Sequence, residues 1–380
     1  MALSYVVLGG GAQGRAVARD LAERADTEAV VVVDPVAPRI PKKFRRIRHA
    51  PLNAVTERGA VARLVREADA CLIALPGSIA DAAIPDVLPM GTPVIDMSFT
   101  PEAANPHFDK IAKRSGVPLV RDVGVAPGLS HVIAALAARE LGGLTQLTIY
   151  VGGLPQRAPP AKGPIDFRHA VYFNAEDLMA EYLRPARMRR RGRNAAPDPL
   201  APSEAERLKD GSLGSLEAFP SDGLRTLLDS YPDCAWMREM TLRWPGHLIA
   251  MRALKKEGRL AGGALRPTPL FKTAAELARA YPAERNPDVV LMEVHAQRGP
   301  KRLDFRLVDR AQGGLTAMSR TTAFTGAAAV HLLALGAFDV PGSHPPEALG
   351  RNEGLALRLL ADLKERKVTV ERGSRLRVAS

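Results

Sequence analysis

The stretch YVVLGGGAQG, residues 5–14, decides the fold. Its apolar start is typical of a buried strand, its glycines match G-x-G-x-x-G, and residues 15–21 have the apolar spacing of a helix. Between a strand and a helix, this pattern is the fingerprint of a dinucleotide-binding domain. Gly9 permits the tight turn, Gly11 lets the backbone approach the pyrophosphate, and Gly14 lets the helix pack closely on the strand.

A second strand, residues 29–33, ends in Asp34, 20 residues after Gly14. A carboxylate at this position binds both hydroxyls of the adenosine ribose and repels a 2′-phosphate. The sequence therefore favours NAD over NADP as the cofactor, although nearby Arg39 leaves NADP open.

Strands continue to alternate with helices, which predicts a parallel, doubly wound sheet. Because ligands bind at the carboxyl ends of such strands, we expect the backbone of residues 75–77 to face the nicotinamide-side ribose. The predicted strands are 70–75, 93–96 and 117–120, and the predicted helices are 56–67, 79–88 and 106–115. The predicted cofactor-binding residues are Gly9, Gly11, Ala12, Gln13, Gly14, Asp34, Leu75, Pro76 and Gly77.

The pattern changes after residue 128 to a second, α+β arrangement. An alternating strand at 146–151 has candidate partners at 289–296 and 303–308. Segments 155–165 and 186–203 are predicted to be long surface loops. The predicted helices here are 129–141, 322–335 and 354–366.

The fold class is therefore α/β, with an N-terminal Rossmann domain and an α+β catalytic and dimerisation domain. The last helix and the strand predicted after it, residues 367–370, are expected to return to the first domain. These expectations give a Rossmann domain of residues 1–125 with 345–380 and a catalytic domain of residues 126–344. A length of 380 residues fits two domains.

The composition excludes several classes of protein. No apolar run is long enough to span a membrane, and the N-terminus has no secretion leader, so we expect a cytoplasmic protein. The two cysteines, Cys71 and Cys234, fall in unlike settings and do not suggest a disulfide framework. Without Cys-x-x-Cys or paired histidines, no metal site is expected.

The net charge of +12 raises the question of nucleic-acid binding. Its densest part, residues 184–193, has no aromatic residues between the arginines, as a single-strand stacking platform would need. A solvated loop or a subunit contact is the preferred interpretation of this arginine run, so nucleic acid is not expected as a partner.

Several longer pieces resemble the saccharopine dehydrogenase superfamily, and most of all its L-lysine 6-dehydrogenase branch. The pieces occur in the family's order: DVGVAPGLS at 122–130, YVGGLP at 150–155, EYL at 181–183, LEAFPSDGL at 216–224 and TLRWPGH at 241–247.

This resemblance implies NAD-dependent oxidation of an amine carbon by a homo-oligomer. In the lysine branch the ε-amine becomes an imine, ammonia is released, and the semialdehyde cyclises to a piperideine carboxylate. The alternatives are a saccharopine- or carboxynorspermidine-type reductase, which acts on an imine formed from an aldehyde and an amine, and a non-catalytic NAD-binding protein.

The sequence departs from many relatives at positions near the expected substrate pocket. Val123 replaces a Cys, Met240 a Lys and Trp244 a Tyr, and Pro220-Ser221 stands where a Thr often precedes the Asp. These departures leave the reaction type standing and the exact amine open.

Arg243 and His247 are two of the five catalytic candidates. The Arg243 guanidinium suits a bidentate clamp on a substrate carboxylate, with a structural ion pair as the alternative. His247 suits a proton relay near neutral pH, with a packed or capping histidine as the alternative.

The other three candidates are carboxylates. Glu217 and Asp222 suit binding of cationic amines or the role of base, although Asp222 alternatively caps a helix at 223–226. Asp122 follows a predicted Rossmann strand and suits a base or a water-orienting group.

Overall fold

The computed structural model describes residues 2–162, 165–262 and 268–379. It divides into two compact units, the first formed by Met1–Leu136 and Ser319–Lys367 and the second by Ala137–Met318 and Val368–Ser380. The boundaries predicted from the sequence lie elsewhere, after residues 125 and 344.

The elements of both units are numbered along the chain. The strands are β1 (Leu3–Leu8), β2 (Thr27–Val33), β3 (Ile47–Ala50), β4 (Ala70–Ile73), β5 (Val94–Asp96), β6 (Pro118–Val120), β7 (Gln146–Pro155), β8 (Met188–Arg190), β9 (Arg193–Ala195), β10 (Glu206–Asp210), β11 (Gly214–Pro220), β12 (Trp236–Arg243), β13 (Asp288–Arg298), β14 (Lys301–Arg310), β15 (Gly342–His344), β16 (Val370–Arg372) and β17 (Leu376–Val378). The helices are α1 (Ala12–Glu23), α2 (Arg58–Arg66), α3 (Gly77–Val87), α4 (Asn105–Ser115), α5 (Leu129–Leu141), α6 (Ala175–Ala180), α7 (Leu227–Ser230), α8 (His247–Lys256), α9 (Pro269–Ala280), α10 (Ala317–Ala334), α11 (Glu347–Arg351) and α12 (Glu353–Glu365).

The first unit contains the parallel sheet predicted from the sequence. Its strand order is β15-β6-β5-β4-β1-β2-β3, and every neighbouring pair is parallel. The nearly continuous burial of β1 and β4 explains their unbroken apolar runs, because helices cover both faces of such a sheet. The Rossmann-like fold class is therefore confirmed.

The long helix α10 explains why the unit boundaries differ from the prediction. A side chain at Gly326 would overlap Met97 and meet Leu72, so the helix packs directly on the parallel sheet. The Tyr5 hydroxyl also lies 2.7 Å from Nδ1 of His331. Because an apolar helix of this kind is equally compatible with either core, its sequence pattern did not reveal the unit to which it belongs.

The second unit is built on a mostly antiparallel sheet with the order β16-β14-β13-β7-β12-β11-β10-β17. The predicted pairing of β7 with β13 is confirmed, whereas β14, the other candidate partner of β7, lies one strand further out and pairs with β13. The prediction of a loop throughout residues 186–203 is wrong, because β8 and β9 form a hairpin there and Arg189 pairs with Met237 of β12.

The C-terminal segment closes this sheet at both edges. Strand β16 pairs with β14, β17 pairs with β10, and only residues 373–375 separate the two strands. The predicted return to the first unit holds for α12, whereas the strand after it belongs to the second unit. In the described part of the chain, no helix is long and apolar enough to cross a membrane.

Candidate functional site

The glycine turn between β1 and α1 has the geometry that close phosphate approach needs. Gly9 has φ of +104°, and a side chain there would overlap the carbonyl group of Ala74. Gly14 lies against the carbonyl of Gly9, so only glycine lets the helix pack this closely. A Cβ at Gly11 would meet nothing within 4 Å, which leaves the N-terminus of α1 open to an anion.

Ala12 and Gln13 form the first turn of α1, beside this open space. The Oε1 atom of Gln13 is buried and has no hydrogen-bond partner among the described residues. The turn therefore offers helix N–H groups to a ligand phosphate, whereas the Gln13 Oε1 is an acceptor and suits a hydroxyl or N–H group of a ligand.

Asp34 follows β2 and is held against the glycine turn. Its Oδ2 accepts a hydrogen bond of 2.7 Å from the Gly10 N–H, and its Oδ1 accepts one of 2.8 Å from the Val36 N–H. The carboxylate is thus fixed at the end of β2, where the sequence analysis expects the adenosine ribose.

The predicted strand 70–75 ends earlier, at Ile73, and residues 74–76 lead directly into α3. Pro76 is the N-cap position of that helix, and a side chain at Gly77 would overlap the backbone carbonyl of Phe99. The Leu75–Gly77 turn therefore packs against the segment that follows β5, at the carboxyl edge of the sheet.

Asp122 lies just beyond β6 at the same edge of the sheet and is only 4% exposed. Its φ of 58° is a left-handed conformation, which is uncommon for a residue other than glycine and is often found at functional sites. Nearby, burial raises the pKa of Asp96 to about 7, and the negative charge of Asp122 adds to that increase.

Arg243, at the end of β12 in the second unit, is engaged by its own chain. Its Nη2 donates to Glu181 at 3.1 Å, its Nε to the Tyr182 hydroxyl at 3.1 Å and its Nη1 to the Leu242 carbonyl at 2.9 Å. The guanidinium is also stacked 5.6 Å from the ring centre of Phe219. The structure thus favours the structural ion pair over an open carboxylate clamp.

His247 continues the same buried network. Its Nδ1 lies 2.5 Å from the Phe167 carbonyl and must donate, so Nε2 accepts the Tyr182 hydroxyl at 2.8 Å. Burial, together with the positive charge of Arg243, lowers the pKa of His247 to about 3. The structure contradicts a proton relay near neutral pH, because the ring is neutral there and both nitrogens are occupied.

Glu217 is a helix-capping residue in this structure. Its Oε1 accepts from the Leu248 N–H at 2.6 Å and its Oε2 from the Gly246 N–H at 3.2 Å, at the N-terminus of α8. This geometry satisfies helix N–H groups that otherwise have no partner and places a negative charge at the positive end of the helix dipole. Both oxygens of the predicted base or amine ligand are therefore already in use.

Asp222 does not cap residues 223–226, the alternative considered above. Its Oδ1 accepts from Arg187 Nε at 2.7 Å and its Oδ2 from Arg187 Nη2 at 3.2 Å, which is a bidentate ion pair. The carboxylate is thus fixed by a cation from the arginine run.

Several side chains of the arginine run, residues 184–193, form hydrogen bonds or ion pairs within the chain. Besides Arg187, Arg189 donates to backbone carbonyls between residues 228 and 234, and Arg190 pairs with Glu204. Arg187 and Arg190 are therefore paired with carboxylates, and Arg189 is directed towards backbone carbonyls of its own chain.

Sequence reasoning missed a polar row on β12. Glu239, Thr241 and Arg243 alternate along this strand and so face the same side of the sheet. Glu239 is 3% exposed and hydrogen-bonded to Ser221. The alternation of these three polar residues with the apolar Met240 and Leu242 is the pattern that would have revealed this row.

The described residues contain no group of three or more His, Cys, Asp or Glu side chains arranged to hold a metal ion. The two cysteines are buried and free. The buried polar atoms without a hydrogen-bond partner among the described residues include Gln13 Oε1 in the glycine turn and Glu239 Oε2 in the β12 row.

Comparisons with known proteins match both units. The saccharopine dehydrogenase NADP binding domain model matches residues 5–116, and the saccharopine dehydrogenase C-terminal domain model matches residues 124–368. Among solved structures, apo saccharopine dehydrogenase (L-Glu forming) from Saccharomyces cerevisiae is similar, with a TM-score of 0.75 at 15% identity over 98% of this chain and 100% of that chain.

Two other structures are similar at a lower level. An engineered D-amino acid dehydrogenase bound to NADP+ has a TM-score of 0.46 at 11% identity, over 97% of this chain and 100% of that one. The DAP dehydrogenase of C. glutamicum in complex with DAP has a TM-score of 0.43 at 10% identity, over 91% of this chain and 93% of that one. Neither score is high enough to carry an argument.

Proposed function

Because the chain belongs to the saccharopine dehydrogenase family, we propose that it is an NAD-dependent dehydrogenase that oxidises a side-chain amine of an amino acid, with L-lysine as the first candidate. The balanced reaction is R–CH2–NH3+ + NAD+ + H2O → R–CHO + NH4+ + NADH + H+. With lysine, oxidation at the ε-carbon gives the semialdehyde, which cyclises to the piperideine carboxylate.

The observation that carries the proposal is the pair of family matches, which together span an NADP binding domain and the C-terminal domain of the saccharopine dehydrogenase family. The choice of an amine follows from the resemblance of segments 216–224 and 241–247 to the L-lysine 6-dehydrogenase branch. Glu239 of the β12 row supports it, since an acidic side chain is suited to a cationic substrate.

Asp34 supports NAD in preference to NADP. Its fixed carboxylate at the end of β2 matches the two ribose hydroxyls and opposes a 2′-phosphate. Replacing Asp34 by Ser should weaken NAD+ binding and improve NADP+ binding, as measured by separate cofactor titrations. If wild-type protein prefers NADP+, the cofactor assignment is wrong while the reaction class stands.

Asp122 is the proposed base. A buried carboxyl group at the carboxyl edge of the parallel sheet lies where the reactive end of a dinucleotide is expected. Asp122→Asn should lower kcat by about 100-fold or more, the typical contribution of general base catalysis, and leave NAD+ affinity unchanged. Arg243 and His247 are proposed to support the substrate pocket through Tyr182 rather than to contact substrate.

The deciding experiment follows the absorbance of the reduced cofactor with purified protein, NAD+ and a panel of diamines and diamino acids. An NAD+-dependent rise with L-lysine, lost in Asp122→Asn, is the expected result. No rise with any amine, but oxidation of NADH when an aldehyde and an amine are supplied together, would favour the two-substrate reductase instead. Light scattering on the same sample tests the proposed homo-oligomer.

A further inference from the structure

The Glu239 carboxyl group is buried, but only one of its two oxygens has a hydrogen-bond partner among the described residues. Its Oε1 accepts a hydrogen bond of 2.9 Å from Ser221 Oγ, which in turn accepts one of 2.8 Å from Thr241 Oγ1. Its Oε2 is buried and has no hydrogen-bond partner among the described residues. A buried acceptor left without a partner costs about 1–3 kcal/mol, so its persistence calls for a ligand or another compensation.

In the described part of the chain, no cation compensates this carboxyl group. The charged groups acting on it are Glu181 and Asp222, and both are negative. Their own positive partners are occupied, since Arg243 is bonded to Glu181 and Arg187 to Asp222. Burial first, and these two negative charges next, raise the pKa of Glu239 to about 8, against a smaller lowering by Ser221.

Gly223 provides the room that this carboxyl group occupies. A Cβ at Gly223 would overlap all three terminal atoms of Glu239. The backbone at this point thus accepts a carboxyl group only because the residue has no side chain. The segment that carries Gly223 also carries Ser221 and Asp222, so one short turn supplies a hydrogen-bond donor, a negative charge and the space that the carboxyl group fills.

Building on the proposed function, we infer that Glu239 is an ammonium-binding residue of the substrate pocket, which exchanges its own proton for a cationic amine group of the substrate. In this exchange the neutral carboxyl group and the substrate ammonium form a carboxylate–ammonium ion pair and release one proton to solvent. No bond of the substrate is broken. The ammonium group supplies Oε2 with the donor it lacks and neutralises the charge of the ionised Glu239 carboxylate.

This exchange has a thermodynamic signature that is independent of turnover. A carboxyl group that is protonated in the free protein and ionised in the complex must release a proton when the amine binds. The released fraction approaches one proton per site at neutral pH and falls as the pH rises through about 8, where the free protein has already lost that proton.

The test is calorimetric titration of NADH-loaded protein, which cannot oxidise an amine, with L-lysine in buffers of different ionisation enthalpy. L-norleucine, which lacks the terminal amine, and 6-aminohexanoate, which lacks the α-amine, are the matched probes. We expect most of one proton to be released by lysine and by one or both probes at neutral pH. Glu239→Gln should abolish the release and raise KM about tenfold or more, with a smaller effect on kcat.

A Ser221→Ala variant is the control that keeps the carboxyl group. Loss of its hydrogen bond should move the pH at which proton release declines upward, whereas a purely structural role predicts no movement. Equal proton release by wild type and Glu239→Gln would overturn the inference, as would amine binding without release. If NADH also forms from lysine in that case, the proposed function stands; if none of these amines binds or is oxidised, both fail.

Discussion

Two glutamates lie buried on opposite faces of the same sheet. Through the shared strand β7, Glu293 is paired with Tyr150 and Glu239 with Ile149, and neighbouring residues of a strand point to opposite faces. The side chain of Glu293 is fully buried and Glu239 is 3% exposed. The two side chains are buried to a similar extent, but the pKa of Glu293 is lowered and the pKa of Glu239 is raised.

Hydrogen-bond donors account for the difference. Burial alone would raise the pKa of Glu293, but bonds from His295, the Arg375 N–H, Ser374 and Arg306 outweigh it and lower the pKa to about 2. Glu239 has a single donor among the described residues, Ser221, and its pKa rises to about 8. A buried carboxyl group with a full set of donors stabilises the fold, whereas one that lacks donors is a candidate to bind something else.

The largest expected effect on stability comes from removing Glu293, the glutamate with the full set of hydrogen-bond donors. Glu293→Ala leaves the buried Arg306 with a single carboxylate partner, Asp210, and should lower the free energy of unfolding by about 3–5 kcal/mol. Urea denaturation measures this loss. Lys255→Ala, which breaks the exposed ion pair with Asp198, is the matched control and should cost at most about 1 kcal/mol. Equal losses would contradict the distinction.

The second-largest effect is a loss of folding stability at acid pH. The pKa of Glu293 falls from 4.5 when unfolded to about 2 when folded, so its contribution is present above 4.5 and is lost as the pH falls through about 2. That contribution is about 3 kcal/mol at one tenfold step per pKa unit. Wild type should therefore lose more stability than Glu293→Gln between neutral pH and strong acid. Parallel curves of the two proteins would contradict this assignment.

Glu239 should show the reverse dependence on pH, with a smaller effect. Its folded pKa of about 8 exceeds the unfolded 4.5, so its contribution is complete below 4.5 and is lost as the pH rises through 8. Without ligand, wild type should lose about 2 kcal/mol relative to Glu239→Gln between about pH 6 and pH 8. An unchanged difference between the two proteins over this interval would show that Glu239 is already ionised in the folded wild type at pH 6.

The smallest expected effect comes from removing the single hydrogen-bond donor of Glu239 among the described residues. Ser221→Ala removes the hydrogen bond that Ser221 donates to the Glu239 carboxyl and should cost about 1 kcal/mol. It should also shift the pH-dependent loss of stability to higher pH, because that bond favours the ionised form. Thr241→Val leaves the hydrogen bond between Ser221 and Glu239 in place and should shift the pH-dependent loss of stability less. Denaturation at several pH values compares the two variants.

The first unit was largely predictable from its sequence. Its parallel strands are buried on both faces, so unbroken apolar runs mark them, and the glycine turn is dictated by backbone geometry. Short β3 was missed because only partly buried and exposed residues form it. The place of α10 was also missed, since an apolar helix does not encode which core it joins.

The second unit was less predictable because its site depends on contacts between distant segments. The sequence pointed to Arg243, Glu217 and Asp222 as reactive groups, but each found a partner from another part of the chain. Glu239 escaped notice because an isolated glutamate in a strand carries no motif. Its proposed role depends on contacts with Gly223 and Ser221, which only the fold brings beside it.

The closing of the second sheet by the C-terminal segment has a consequence for the order of folding during synthesis. Strands β10 and β14 have their outer edges covered by residues 370–378, which follow the whole first unit along the chain. Ser374 and Arg375 also complete the bonds of Glu293. A ribosome therefore releases the last donors of this core only after it has released the whole first unit. Until then the second sheet keeps two open edges, which are prone to pair with neighbouring chains.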